Sequence, residues 1–190
     1  PFLVGYHYFP LPTFYSESIT FLLGICAMVA LCGARFWAAP QVPRVVALPV
    51  FITLLLFLQV ALQRVVFAEH SVMAAMYFFW AAALMVLARH LREQLGIDEV
   101  VRVLSVFLVV GGELSALIGI LQQYGFQTVL GLPIHPKAGA AIFGNLGQPN
   151  HYGNYTSLGR SALGWLYVRF GWSLRRTVLL ALPLVFVLAL

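Results

Sequence analysis

Long apolar runs separated by short polar breaks dominate the chain, and their lengths predict helices that cross a membrane. The complete runs cover 18–34, 45–63, 71–88, 100–122 and 152–168, and a further one opens at 177 and continues to 190. None alternates in the strict two-residue rhythm of a barrel strand, and all are too long for ordinary strands. The pattern therefore predicts an all-α, polytopic transmembrane helix bundle with about six spans, the last truncated. Residues 1–190 are read as a single transmembrane domain. Pro1 in place of Met and the apolar run still open at Leu190 predict the amino-terminal part of a longer membrane protein.

Prolines at 1, 10 and 12 predict an amino-terminal loop as far as Glu17, with Tyr6, Tyr8, Phe9, Phe14 and Tyr15 as interfacial aromatics. Pro40 and Pro43 mark the next turn, and Arg89-His90-Leu91-Arg92-Glu93 closes the third span ahead of a polar loop through Asp98. The longest non-spanning segment is 123–151, with Pro133, Pro136 and Pro149; its middle, 137–142, reads as a re-entrant or surface-lying piece.

Composition sharpens this reading. The chain is 62% hydrophobic and only 9% charged, with a mean hydropathy of +0.92, whereas a soluble domain carries about a quarter charged residues. Net charge is +5. That balance would suit nucleic acid in a soluble protein, but here the basic residues sit in short connectors, so no nucleic-acid partner is expected and the partner is the lipid bilayer. Sorted by alternate connection, Arg35, Arg44, Arg89, Arg92, Arg102, Arg169, Arg175 and Arg176 fall on one side and only Arg64 and Lys137 on the other. The excess predicts a cytoplasmic face, leaving the 123–151 loop outside. Cys26 and Cys32 lie six residues apart within one span, on different sides of a helix, and read as buried thiols. The five histidines are scattered, so no metal site is expected, and nothing signals a cofactor.

One stretch breaks the apolar pattern. Phe143-Gly144-Asn145-Leu146-Gly147-Gln148-Pro149-Asn150-His151-Tyr152-Gly153-Asn154-Tyr155 gathers amides, an imidazole and small residues just before the fifth span. It reads either as a helix-entry loop in which Asn150 caps the span, or as hydrogen-bond donors at a cavity rim suited to sugar hydroxyls or phosphate oxygens. His151 is of the residue type that serves as a general base, but an interfacial imidazole at a helix start reads first as a hydrogen-bonding rim residue. Two charges stand near mid-span, where a lone one costs at least about 2.5 kcal/mol. Arg160 lies nine residues below His151 and Glu113 nine from Gln122, which places both about 13 Å deep and makes them candidates for an intramembrane ion pair that fixes the helix register, with a catalytic or diphosphate-binding role as the alternative. Gly111-Gly112 and Gly119 suggest close helix approach, without GxxxG spacing.

The run Phe143–His151 resembles the signature of bacterial pilin-type O-oligosaccharyltransferases, the protein glycosylation ligases of the O-antigen ligase and polymerase superfamily. Pro12-Thr13-Phe14-Tyr15-Ser16-Glu17 is similar to the loop before an early span in those enzymes, and Ala116-Leu117-Ile118-Gly119-Ile120-Leu121-Gln122 to the end of the span before their motif. The resemblance implies an inner-membrane glycosyltransferase working at the periplasmic face. It would pass an oligosaccharide from an undecaprenyl-diphosphate carrier to a hydroxyl of a periplasmic acceptor, a pilin-like protein or lipid A core. It also implies that Gln148 is the foremost substrate-binding residue, with Asn145, Asn150 and His151 beside it. The catalytic histidine of the family is expected downstream of this chain, so residues 1–190 alone are expected to be inactive. Tyr152-Gly153 stands where the family often has Leu-Ala. An O-antigen polymerase, and a transporter or flippase for lipid-linked sugars, are the alternatives; intramembrane charges and a broken segment suit the last.

Overall fold

The computed structural model describes residues 14–31, 41–126, 134, 137, 139, 141–146 and 148–189. Every element among them is helical: α1 (Phe14–Leu31), a 3-10 turn (Arg44–Val46), α2 (Ala47–Ala61), α3 (Ala68–Leu95), α4 (Ile97–Gln123), α5 (Pro149–Phe170) and α6 (Leu174–Phe186). Residues 1–13, with His7 and the Pro12-Thr13 pair, and His135 lie outside the described residues, whereas Phe14–Glu17, expected in the amino-terminal loop, form the first turn of α1.

Among the described residues, three helical stretches are long and apolar enough to cross a membrane: Arg44–Ala61, Ala68–Leu95 and Ile97–Gln123. That is fewer than the six expected, and each shortfall has a cause. Of the span expected at 18–34, residues 32–34 lie outside the described residues, and the apolar part of α1 that is described is Ser18–Ala30. α6 spans only 13 residues. α5 has the length, 22 residues, but Asn150, His151, Asn154, Arg160 and Arg169 dilute its hydropathy.

Boundaries also moved. The segment Arg89–Glu93, expected as a connector, is helical because nothing in it breaks a helix; Arg89 and Glu93 form an i, i+4 ion pair along it. The break comes at Gly96, whose φ of +80° only glycine adopts freely, so the polar loop expected through Asp98 shrinks to one residue. Asp98 and Glu99 fall in the first turn of α4, where carboxylates complement the helix dipole.

The chain forms two compact units, residues 25–100 and residues 1–24 with 101–190. In the first, α2 and α3 make a hairpin through the turn at Gln63. Ala75, 1% exposed, and Ala82 let the helices close, and Thr53 Oγ1, bonded to Pro49 O at 2.8 Å, also reaches Ala75 O at 3.4 Å. Leu87 gathers Met28, Val86 and Leu91 into a small cluster.

In the second unit the core forms where α4, α5 and α6 meet: Val109 and Ala116 from α4, Tyr152, Ala162, Leu163 and Leu166 from α5, and Leu184 from α6. Glycines set the distance. A Cβ on Gly112 or on Gly159 would stand 3.3 Å from the Cα of the other, so the backbones of α4 and α5 touch there, with Leu184 against both. A Cβ on Gly119 would overlap the Tyr152 hydroxyl, and one on Gly111 the Tyr155 hydroxyl. Gly119 with Tyr152 and Gly112 with Gly159 are equally spaced in opposite chain directions, which makes α4 and α5 antiparallel in a fixed register. α5 therefore runs beside nearly the whole of α4, its first half at the depth of the carboxyl-terminal half of α4, whatever its own hydropathy.

Candidate functional site

The site is assembled from the end of α4 upward. Gln122 lies in the last turn of α4, 1% exposed, in a place where an amide must find partners or cost stability. It finds them in the segment before α5. Its Oε1 accepts the Phe143 and Gly144 backbone N–H groups at 2.9 and 3.0 Å, and its Nε2 donates to Gly144 O at 3.2 Å. One side chain thus satisfies three backbone groups that would otherwise be buried without partners.

The clamp needs the chain to turn sharply. Leu146 N–H donates to Phe143 O at 3.0 Å across the turn, and Gly144 supplies a φ of +54°. The Tyr152 ring covers Gly144; a Cβ there would stand 3.1 Å from its Cε2. Tyr152 is 3% exposed and its hydroxyl, seated at Gly119, has no hydrogen-bond partner. Next to Gln122, Gln123 accepts a hydrogen bond from Lys137 Nζ, so adjacent amides at the end of α4 hold the loop at two points.

The four residues expected in the site separate. Asn145 is buried in the turn, whereas Gln148, Asn150 and His151 are exposed at the start of α5. Asn150 is not the cap: Gln148 occupies the N-cap position in an extended conformation, Pro149 follows with the fixed φ suited to a first helical turn, and Asn150 already lies within the helix. The Gln148 side chain makes no capping bond, which leaves its amide at the surface with its neighbours' polar groups.

Glu113 and Arg160 follow Gly112 and Gly159, so they share the level of the backbone crossing, but they do not pair. Arg160 Nη2 donates to Ser157 Oγ at 2.6 Å, and Glu113 Oε1 is buried without a hydrogen-bond partner. Elsewhere, His70 packs edge-on against Phe67, with ring centroids 5.6 Å apart. Among the described residues no three His, Cys, Asp or Glu side chains gather in a way that would hold a metal ion.

A family model described as protein glycosylation ligase matches residues 142–167. The match begins at the residue before the clamped Phe143–Gly144 pair and runs along most of α5. It links this segment to the ligase superfamily and supports a role in glycan transfer. Comparison with curated proteins and with solved structures gives no match. Gln122 lies outside the matched segment; its place at the polar end of an otherwise apolar run, within the stretch that resembles the end of the span before the family motif, is what the sequence shows of it.

Proposed function

We propose that the chain is part of an inner-membrane glycan ligase that transfers an oligosaccharide from an undecaprenyl-diphosphate carrier to a hydroxyl of a periplasmic acceptor, a pilin-like protein or lipid A core. The observation that carries this reading is the coincidence of the family match with a polar segment that the fold fixes to α4 through Gln122 and Tyr152. Gln122 and Tyr152 anchor residues 143–144 to α4, and from that anchor Gln148, Asn150 and His151 stand exposed side by side.

In the transfer, the acceptor oxygen bonds to the sugar anomeric carbon, the bond from that carbon to the diphosphate oxygen breaks, the diphosphate leaves with the electron pair, and the hydroxyl proton passes to a base or to the departing diphosphate. Amides orient such a substrate but cannot take its proton, which assigns binding, not base catalysis, to Gln148 and Asn150. Donors aimed at the leaving diphosphate stabilise it most as the bond breaks. The test is transfer by the full-length protein carrying Gln148→Ala, assayed with a pilin-like protein and with lipid A core. The expected result is loss of transfer at normal protein level with one acceptor; unchanged transfer removes Gln148 from the site.

A further inference from the structure

α5 is polar on the side that its core packing leaves open. At about 100° per residue, Tyr152, Thr156, Gly159, Leu163 and Leu166 share the face turned to α4 and α6. Asn150, Gly153, Asn154, Ser157, Arg160 and Ser161 fall within an arc of roughly 120° on the other side. The polar arc covers only one end. From Asn150 to Ser161 it runs about 16 Å, roughly half of a hydrocarbon core of about 30 Å, and the same arc then becomes apolar at Val168.

The register against α4, whose length and composition fit a membrane span, puts this arc at membrane depth. Amides, hydroxyls and a guanidinium there must meet water or polar partners, since hydrocarbon supplies none. Arg160 is turned accordingly. Its Nη2 donates to Ser157 Oγ at 2.6 Å, and Ser157 Oγ donates to Gly153 O at 2.6 Å, so the guanidinium is drawn up the helix toward Gln148–His151.

We infer that the Asn150–Ser161 face of α5 lines a water-filled recess, open beside Gln148 and closed near mid-membrane, in which Arg160 receives the diphosphate of a lipid-linked ligand. The identity of the occupant rests on the glycan-transfer reading; the recess does not. A guanidinium matches phosphate oxygens in geometry and charge. Gly153 keeps the wall thin above it, and the Ser157 hydroxyl fixes the guanidinium without neutralising it.

The experiment uses the full-length protein in membranes, in a cysteine-free background, with single cysteines at Asn154, Ser157 and Ser161 and comparison cysteines at Leu158 and Val168. A charged, water-soluble thiol reagent attacks only thiolates that water reaches, so the three polar positions should react about tenfold or more faster than Leu158→Cys and Val168→Cys. Undecaprenyl diphosphate without a glycan, at about ten times its Kd, should slow labelling of Asn154→Cys about tenfold, and Arg160→Gln should abolish that protection. Protection by inorganic diphosphate as well assigns recognition to the head group alone; protection by the lipid form only assigns it to the carrier. Equal labelling of Leu158→Cys and Ser157→Cys, or no labelling of the three polar positions, overturns the recess. Labelling that neither diphosphate nor carrier slows overturns the role of Arg160. Loss of the ligase reading alone would leave the labelling pattern in place while Gln148→Ala left transfer untouched.

Discussion

The α2–α3 hairpin and the α4–α5 pair are both antiparallel helices, yet they are held by different means. The hairpin relies on alanines that permit approach and on one long hydroxyl contact, from Thr53, while Phe51, Leu54, Leu58 and Phe79 point outward. Such a surface suits lipid and tolerates exchange of one apolar residue for another. The α4–α5 pair is set by glycines that receive tyrosine hydroxyls and by an amide that binds three backbone groups. There, a single methyl or a lost amide changes where Gln148 sits. The difference teaches which part of the fold is a wall and which part is a positioning device.

Substitutions should separate the two. The largest effect is expected from Gln122→Leu, which leaves the Phe143 and Gly144 groups buried without partners; at about 1–3 kcal/mol for each unsatisfied group, the loss should be several kcal/mol. Thermal unfolding of the purified protein in detergent reads it, and a loss no greater than that of a hairpin substitution would remove the distinction. Gly119→Ala comes next. Its methyl overlaps the Tyr152 hydroxyl, and such overpacking costs about 1–3 kcal/mol. Adding Tyr152→Phe should restore only part of that loss, because it removes the overlapping oxygen but keeps the ring Cζ, 2.7 Å from the added methyl. Failure of the second change to compensate would place the strain elsewhere.

In the hairpin, Thr53→Val should cost only about 0.6 kcal/mol, the usual worth of a hydroxyl contact between membrane helices. Smallest of all is Tyr152→Phe alone. Its hydroxyl has no partner, so stability should stay within about 0.5 kcal/mol of the parent or rise slightly. A large loss in that variant would reveal a bond to the hydroxyl. All are measured as shifts of the same unfolding curve, so their order tests the comparison directly.

Much of this was legible in the residues. Runs of Leu, Val, Ile and Phe with polar breaks announced membrane helices, because hydrocarbon demands long, uninterrupted apolar segments. The amide-rich run around Gln148 stood out for the same reason, as groups that lipid cannot satisfy. Element ends were less legible: Arg89–Glu93 reads as a loop by charge, yet charge does not break a helix and Gly96 does. The cap was misplaced because Asn150 and Gln148 are both polar, and only the backbone of Gln148 is extended.

What the chain of residues determined by itself is the all-helical, membrane-type class of molecule and the one amide-rich stretch that stands apart from its apolar runs. What only the tertiary structure decided is partnership: that Gln122 holds a backbone 21 residues away, that glycines on α4 receive tyrosines from α5, and that Arg160 turns to Ser157 and not to Glu113. Hydropathy is a property of each segment and can be summed along the chain. A hydrogen bond between segments depends on the register in which two helices meet, and that register is set by shape at contacts that no single segment contains.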